Sequence, residues 1–341
     1  MEYTRLGNTG LTVSRTAFGA LPIQRLGFQE AGALLREAYE GGVNFFDTAR
    51  VYSDSEEKIA RALGDARGKI IIASKAAAAD EEGIKAQLRV SLESLNTDYI
   101  DLYQLHNPKT LPSDGVLALL ERLKREGVIR AYGITSHSLS LAKQAAASGL
   151  FATLQYPFSC LSSQEEIALA RECGERGMGF IAMKAMAGGL ITRVRENFAF
   201  IRAHPNVVPI WGIQRPEELR EFLRYERENP PYTPDTERAL SEERQALAGS
   251  FCRSCGYCLP CPAGIPLENA CRMDMLLGRA VYQRFITPEW RELMARTENC
   301  TGCGECNPRC PYGLRPQSLV RRQYEYYKGF LSRADAGNAP K

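Results

Sequence analysis

Eleven cysteines occur in 341 residues, and nine of them lie after position 250. Two runs carry the pattern. In CRSCGYCLPCP, Cys252, Cys255, Cys258 and Cys261 recur at every third position and Pro262 follows. In CTGCGECNPRCP, Cys300, Cys303 and Cys306 keep that spacing, and Cys310 with Pro311 follows after three further residues. Three thiolates so spaced wrap three corners of an iron–sulfur cube, and Gly256, Gly302 and Gly304 let the backbone fold tightly around it. A fourth cysteine held slightly apart, before proline, ligates the other cube where two such runs occur together. The expected sets are therefore Cys252, Cys255, Cys258 and Cys310 around one [4Fe–4S] cluster, and Cys300, Cys303, Cys306 and Cys261 around another. Paired zinc sites also use C-x2-C hooks, but two per metal, which leaves the third hook and the Cys-Pro endings without a purpose. Cys160, Cys173 and Cys271 fit neither run and are expected to be small buried hydrophobes.

A second constellation lies in the first third of the chain. VNFFDTA ends at Asp47, with Tyr52 in the loop beyond; KIIIASK ends at Lys75; IDLYQLH ends at His106. Taken singly these read as a helix cap, a loop aromatic, a solvated charge and a satisfied core histidine. At the ends of consecutive strands they would converge in one pocket. The elements that must position them alternate short apolar runs with amphipathic stretches, the pattern of repeated βα units. Strands are expected at Arg15–Ala20, Val43–Thr48, Lys69–Ser74, Ile100–His106, Ile129–Ser136, Phe151–Tyr156, Gly179–Met183 and Val207–Ile213. Between them, Ile84, Leu88, Leu92 and Leu95 share a helical face, and Asp114 is positioned to cap a helix carrying Leu117, Leu120 and Leu123 that Gly127 stops. Eight such units predict an α/β fold, a (β/α)8 TIM barrel, with active-site groups at the C-terminal ends of its strands. A doubly wound sheet competes, but no G-x-G-x-x-G follows the first strand. Gly7-Asn8-Thr9-Gly10 reads as a hairpin turn ahead of the barrel.

FDTARVY with Ser55-Glu56, IIIASK, DLYQLH and YGITSH stand in the order in which the aldo-keto reductases carry their signatures, and over about residues 1–225 the chain resembles that family. The resemblance implies a catalytic tetrad of Asp47, Tyr52, Lys75 and His106. The chemistry agrees. Carbonyl reduction by hydride leaves an alkoxide that needs a proton, and a tyrosine of pKa ~10 is a poor acid unless a nearby cation lowers it. Lys75 would supply that charge, Asp47 would pair with Lys75, and His106 would donate a hydrogen bond to the carbonyl oxygen. The resemblance further places Ser136, His137 and Gln155 at the nicotinamide and Lys184 at the pyrophosphate or substrate. Gln214, Arg215 and Glu221 fall at the adenosine end, where the family's Lys-Ser, Arg and Glu-Asn pattern is altered. NADP and NAD both stay open, with Arg215 a candidate for a 2′-phosphate. Trp211 and Arg50 are candidates for the substrate mouth.

The domain organisation expected is a barrel over 1–225, a connector over 226–249, a small mainly α-helical dicluster domain over 250–328 and a flexible tail over 329–341. Leu267–Phe285 and Pro288–Thr297 have apolar residues at helical spacing, which resembles the helical dicluster modules of respiratory iron–sulfur subunits. A formal charge of +3 is too mild to imply nucleic acid or an anionic membrane as partner. No early basic-then-apolar stretch reads as a signal peptide and no apolar run is long enough to span a bilayer, so a reducing cytoplasm is expected. Hydride chemistry moves two electrons and each cube one, and no flavin motif is visible to mediate. Three readings follow. A reductase acting on a small carbonyl or alcohol could be linked through its clusters to a redox partner such as a ferredoxin. The clusters could instead be structural, or the barrel could be idle and the protein an electron-transfer or interaction subunit.

Overall fold

The computed structural model describes residues 1–247, 251–254, 256–279, 282–310 and 312–336. The chain divides into two compact units: one of Met1–Ala185 and Arg195–Leu240, the other of Met186–Val194 and Ser241–Lys341.

The first unit opens with β1 (Tyr3–Arg5) and β2 (Thr12–Ser14), an antiparallel hairpin. Its turn carries Gly7 at φ +52°, where a Cβ would come within 2.3 Å of the Gly179 nitrogen, so no larger residue fits. Eight parallel strands follow: β3 (Ala17–Gly19), β4 (Phe45–Asp47), β5 (Ile71–Ala76), β6 (Ile100–His106), β7 (Ile129–Thr135), β8 (Thr153–Pro157), β9 (Gly179–Met183) and β10 (Val207–Gly212). They close in sequence order into a barrel, β10 pairing with both β9 and β3. The eight expected strands are all present, two of them (β6, β9) over the expected residues.

The helices alternate with them: α1 (Phe28–Glu40), α2 (Ser55–Leu63), α3 (Glu81–Leu95), α4 (Asp114–Arg125), α5 (Leu139–Ser148), α6 (Gln164–Glu175), α7 (Val194–Arg202) and α8 (Pro216–Glu228). Ile84, Leu88 and Leu95 are the buried apolar side chains of α3. Ser113, and not Asp114, caps α4: its side chain accepts from the Val116 nitrogen, and Asp114 is the first helical residue, where a carboxylate still favours the helix dipole.

Side chains alternate across a strand, so one face of each strand fills the barrel. Leu6, Leu11 and Val13 from the hairpin region close its lower end, against Ala17, Phe45, Ala73, Leu102, Ala131, Ile181 and Val208. Two residues further up the same faces stand Asp47, Lys75 and Gln104, with His106 above Gln104. An apolar base beneath a polar top is thus written into period two. Trp211, a candidate for the mouth, is instead core: 1% exposed and stacked on Phe222 at 4.2 Å and Phe198 at 5.9 Å.

Within the connector expected at 226–249, α9 (Pro234–Ala246) is a regular helix, and Glu226–Glu228 still belong to α8. The second unit is helical: α10 (Leu267–Ala270), α11 (Met273–Arg279), α12 (Pro288–Ala295) and α13 (Pro316–Asp335). The segment Leu267–Phe285 is not one helix. The chain turns at Cys271 and Arg272, both buried, and the Arg272 guanidinium donates to the carbonyls of Ala187 (3.5 Å) and Gly188 (3.4 Å). Glu243 holds the same short segment by accepting from the Thr192 nitrogen at 2.6 Å. Of the flexible tail expected over 329–341, residues 329–335 continue α13, because Phe330 is buried in the core of this unit with Tyr327 and Val320, and residues 337–341 lie outside the described residues. No helix among the described residues is long and apolar enough to cross a membrane.

Candidate functional site

Lys75 and Asp47 are 1% and 2% exposed, and the amine donates to the carboxylate at 2.6 Å and to the Thr48 carbonyl at 2.6 Å. Burial pushes the Asp47 carboxyl up, with Lys75 pulling it back, and burial pushes the Lys75 amine down, with Asp47 opposing. The other carboxylate oxygen accepts from Gln104 at 3.5 Å, and Gln104 also donates to Gln155 at 2.9 Å. Register explains the grouping: Lys75 pairs with Gln104 across β5 and β6, and His106 with Thr135 across β6 and β7.

Tyr52 stands in the turn-rich loop between β4 and α2, where Tyr52 N–H donates to Ala49 at 2.9 Å and Ser55 N–H returns to Tyr52 at 2.8 Å. Its ring meets His106 edge-on at 5.8 Å and lies 5.3 Å from the Lys75 amine. The expectation that Lys75 lowers the Tyr52 pKa is reversed. Burial first, and the Asp47 charge second, push the phenol well above its ordinary value. Tyr52 therefore rests fully protonated.

Burial, with the Lys75 charge adding to it, pushes the His106 imidazolium down to about 3, so the ring is neutral in the physiological range. Its Nδ1 is buried with no hydrogen-bond partner among the described residues. Across about pH 5–8, the rate of any reaction at this site should show no histidine limb. A break near the ordinary histidine value of ~6.5 that disappears in His106→Gln would refute a neutral His106.

Gln104 and the Thr48 carbonyl were not singled out from the sequence. The signal for Gln104 was present, since it lies two residues before His106 on the same strand face. A second network lies beside the pair: Glu56, 1% exposed, accepts from Ser74 at 2.6 Å and binds Arg50, which also reaches Ser94 at 3.0 Å. Arg50 is thus committed to a buried carboxylate.

The dinucleotide candidates have partners inside the chain. Ser136 Oγ donates to the Ser138 carbonyl at 3.1 Å, at the start of α5, and His137 N–H donates to Asn107 at 3.2 Å. Gln155 serves Gln104, as above. Lys184 is half-buried, with φ +55°, just beyond β9. Arg215 pairs with Glu218 at 2.6 Å, Gln214 accepts from Arg25 at 3.3 Å, and Glu221 accepts from Tyr225 at 2.7 Å. Arg25, which donates to Gln214, and Arg215, which follows it in the chain, both keep exposed surface, and either guanidinium fits a phosphate.

In the second unit the cysteines gather in two groups. Cys261, Cys300, Cys303 and Cys306 line one cavity of about 310 Å³, with Cys258 also on its wall. Cys252, Cys258 and Cys310 line a narrower one together with Cys271. Each terminal cysteine, Cys261 and Cys310, thus stands with the other run. Cys255 and Pro311 lie outside the described residues. Gly302 and Gly304 both take φ +75°, and Ser254 N–H donates to Cys252 Sγ at 3.4 Å. An all-sulfur donor set on glycine-turned loops fits thiolate-ligated iron–sulfur cubes.

Cys160 and Cys173 are buried, as expected of small hydrophobes. Cys271 is buried too, but it faces the narrower cavity, and its thiol donates to the Pro316 carbonyl at 3.6 Å. Burial, then the charges of Cys252, Cys258, Cys306 and Cys310, push that thiol up. Because Cys271 belongs to neither cysteine run, Cys271→Ala should leave the iron content of anaerobically purified protein unchanged, whereas Cys310→Ala and Cys261→Ala should each lower it. Equal iron loss in all three would make Cys271 a ligand.

Comparison with known proteins agrees with both halves. Residues 16–224 match the Aldo/keto reductase family, and residues 251–315 match the 4Fe-4S dicluster domain. The chain is 33% identical over 209 residues to the oxidoreductase YqkF of Bacillus subtilis, covering 56% of this chain and 67% of that protein. It is 29% identical over 243 residues to the aldo-keto reductase AFTS1 of Alternaria alternata, covering 56% and 66%. The match thus spans about two thirds of the length of these relatives. Among solved structures, the holo form of an aldo-keto reductase from Bacillus halodurans superposes with a TM-score of 0.64 at 25% identity, covering 71% of this chain and 96% of that one. An aldo/keto reductase from Klebsiella pneumoniae, solved with NADP and acetate, shares the fold with a TM-score of 0.63 at 21% identity, covering 71% and 95%. The chain belongs to the aldo/keto reductase family and carries a 4Fe-4S dicluster domain after its barrel.

Proposed function

We propose that this protein reduces a small carbonyl compound, or oxidises the corresponding alcohol, by hydride transfer with NADP(H) or NAD(H). Its second unit would hold two [4Fe–4S] clusters in the crossed sets Cys252, Cys255, Cys258, Cys310 and Cys300, Cys303, Cys306, Cys261, and these clusters would exchange electrons with a redox partner such as a ferredoxin. The observation that carries the reading is the buried Lys75–Asp47 pair with Tyr52 and His106 against it.

A bound nicotinamide supplies hydride, and bound cubes supply one-electron storage. The rest falls to the side chains. Neutral His106 presents an N–H to the carbonyl oxygen and orients it without bringing a charge into the site. Tyr52 holds the proton that the oxygen takes up. Its raised pKa does not obstruct this, since an alkoxide is a much stronger base than a phenolate and the transfer runs downhill once negative charge develops. Lys75, fixed by Asp47 and the Thr48 carbonyl, places positive charge near the phenolate that remains. In oxidation the same groups work in reverse. Arg25 and Arg215 beside Gln214 favour a dinucleotide with a 2′-phosphate.

A second reading, an electron carrier with an idle barrel, draws on one observation: Gln214, Arg215 and Glu221 are all paired within the chain. The deciding experiment supplies nicotinamide deuterated at C4 and an aldehyde panel to anaerobically purified protein. Deuterium in the alcohol product is the expected result. Its absence with both NADPH and NADH, in protein of full iron content, would favour the idle barrel.

A further inference from the structure

The two cysteine cavities differ in how they meet solvent. Around the narrower one, Cys258 and Cys271 are buried and Cys252 and Cys310 half-buried. At the larger one, Cys303 is exposed, and so are its neighbours Thr301 and Glu305. Electron tunnelling weakens steeply with distance, so a cluster held there would exchange electrons through the Cys303 edge.

That edge is rimmed by arginine. Arg321 donates to the Cys300 carbonyl at 3.3 Å. Arg309 donates to the carbonyl of Pro260, on the cavity wall, at 3.1 Å. A guanidinium nitrogen of Arg296 lies 3.8 Å from where Gly264 would carry a Cβ, between the wall residues Ala263 and Ile265. All three arginines are exposed. The carboxylate lining the cavity, Glu305, pairs with Arg309 at 2.9 Å, and nearby Glu298 accepts from Tyr324 at 3.1 Å. The bias extends beyond the rim. Residues 251–341 hold 13 Lys and Arg against 8 Asp and Glu, whereas residues 1–250 hold 30 against 32.

We propose that Arg296, Arg309 and Arg321, around the exposed Cys303, form the docking surface for a small acidic one-electron carrier protein. The inference rests on the reading that the second unit holds clusters that exchange electrons. At this surface one electron passes from the carrier to the second cluster; the carrier is oxidised by one electron, the cluster is reduced by one, and no bond or proton changes hands. Complementary charge sets register and encounter rate at such interfaces, which a desolvated apolar patch would not do.

The test uses anaerobically purified holoprotein and an acidic [2Fe–2S] ferredoxin. Calorimetric titration should give binding that weakens at least about tenfold between about 50 and about 300 mM salt. Arg309→Glu/Arg321→Glu should weaken it at least about tenfold at low salt, with iron content and visible spectrum unchanged. Lys328→Glu/Arg333→Glu, about two and three turns further along α13, should leave it unaltered. Should the reversal lose iron, Arg296→Gln/Arg321→Gln removes the charge more gently and must still weaken binding. No binding at low salt, or equal losses in the rim and control variants, would overturn the docking surface. A small cationic reductant, reduced methyl viologen, separates the two ideas. If it fails to bleach the clusters, the electron-carrying reading falls, and the docking surface with it. If it bleaches them while rim variants bind ferredoxin normally, only the docking surface falls.

Discussion

Tyr52→Phe should lower the turnover of carbonyl reduction by about 10²–10⁴-fold, the range for loss of a positioned general acid. The substitution removes one hydroxyl and keeps the ring that packs edge-on against His106 at 5.8 Å, so the pocket keeps its shape. Apparent substrate affinity should change little, because the lost interaction develops with negative charge on the oxygen. Iron content and cluster spectrum should match the wild type, since Tyr52 belongs to the other unit. The measurement is anaerobic steady-state kinetics with an aldehyde and a nicotinamide donor, beside an iron assay of the same sample. Undiminished turnover would remove Tyr52 from the proton path.

Lys75→Met should be the most damaging single change to the barrel. It leaves Asp47, 2% exposed, with a charge that Lys75 no longer matches, and deprives the Thr48 carbonyl of its donor. Breaking a buried pair from one side costs about 3–5 kcal/mol. The loss should depend on pH with a definite sign. Without Lys75, burial holds the Asp47 pKa above its unfolded value, so the folded state binds more protons than the unfolded one and stability rises as pH falls. The defect should therefore be greatest above neutrality and shrink on acidification toward ~4, the unfolded carboxyl value. Asp47→Asn/Lys75→Met should recover part of the stability at neutral pH and none of the activity. Denaturant unfolding of the three proteins at several pH values tests both points; a pH-independent defect would mean that Asp47 does not titrate against Lys75.

Much of the barrel was legible because each strand is a short apolar run with polar residues at one end. β6 and β9 match their expected limits, while β5 continues one residue past Lys75 and β4 is shorter than its apolar run. Strand ends are set by which carbonyls find partners across the barrel, and composition does not record that. The pairing of Lys75 with Asp47 followed from charge, but the direction of the Tyr52 shift did not. It is set first by how deeply the fold buries the phenol and second by the nearby Asp47 charge, and residue type records neither. In the second unit, spacing marked the two cysteine runs. It could not mark Cys271, which stands at the narrower cavity in the turn between α10 and α11, nor the break at Arg272, whose partners lie 84 and 85 residues earlier.

The discontinuous make-up of the second unit bears on how the chain is synthesised. Met186–Val194 leaves the ribosome before its fastenings exist: Glu243 follows its Thr192 partner by 51 residues, and Arg272 follows Ala187 by 85. At about 5–20 residues per second, this segment waits on the order of 4–17 s for Arg272. The barrel strands on either side of it can pair in that interval, before these two contacts form. A gene cut after the barrel would remove both contacts permanently, so the boundary between reductase and cluster module is not a single point that recombination could move without loss.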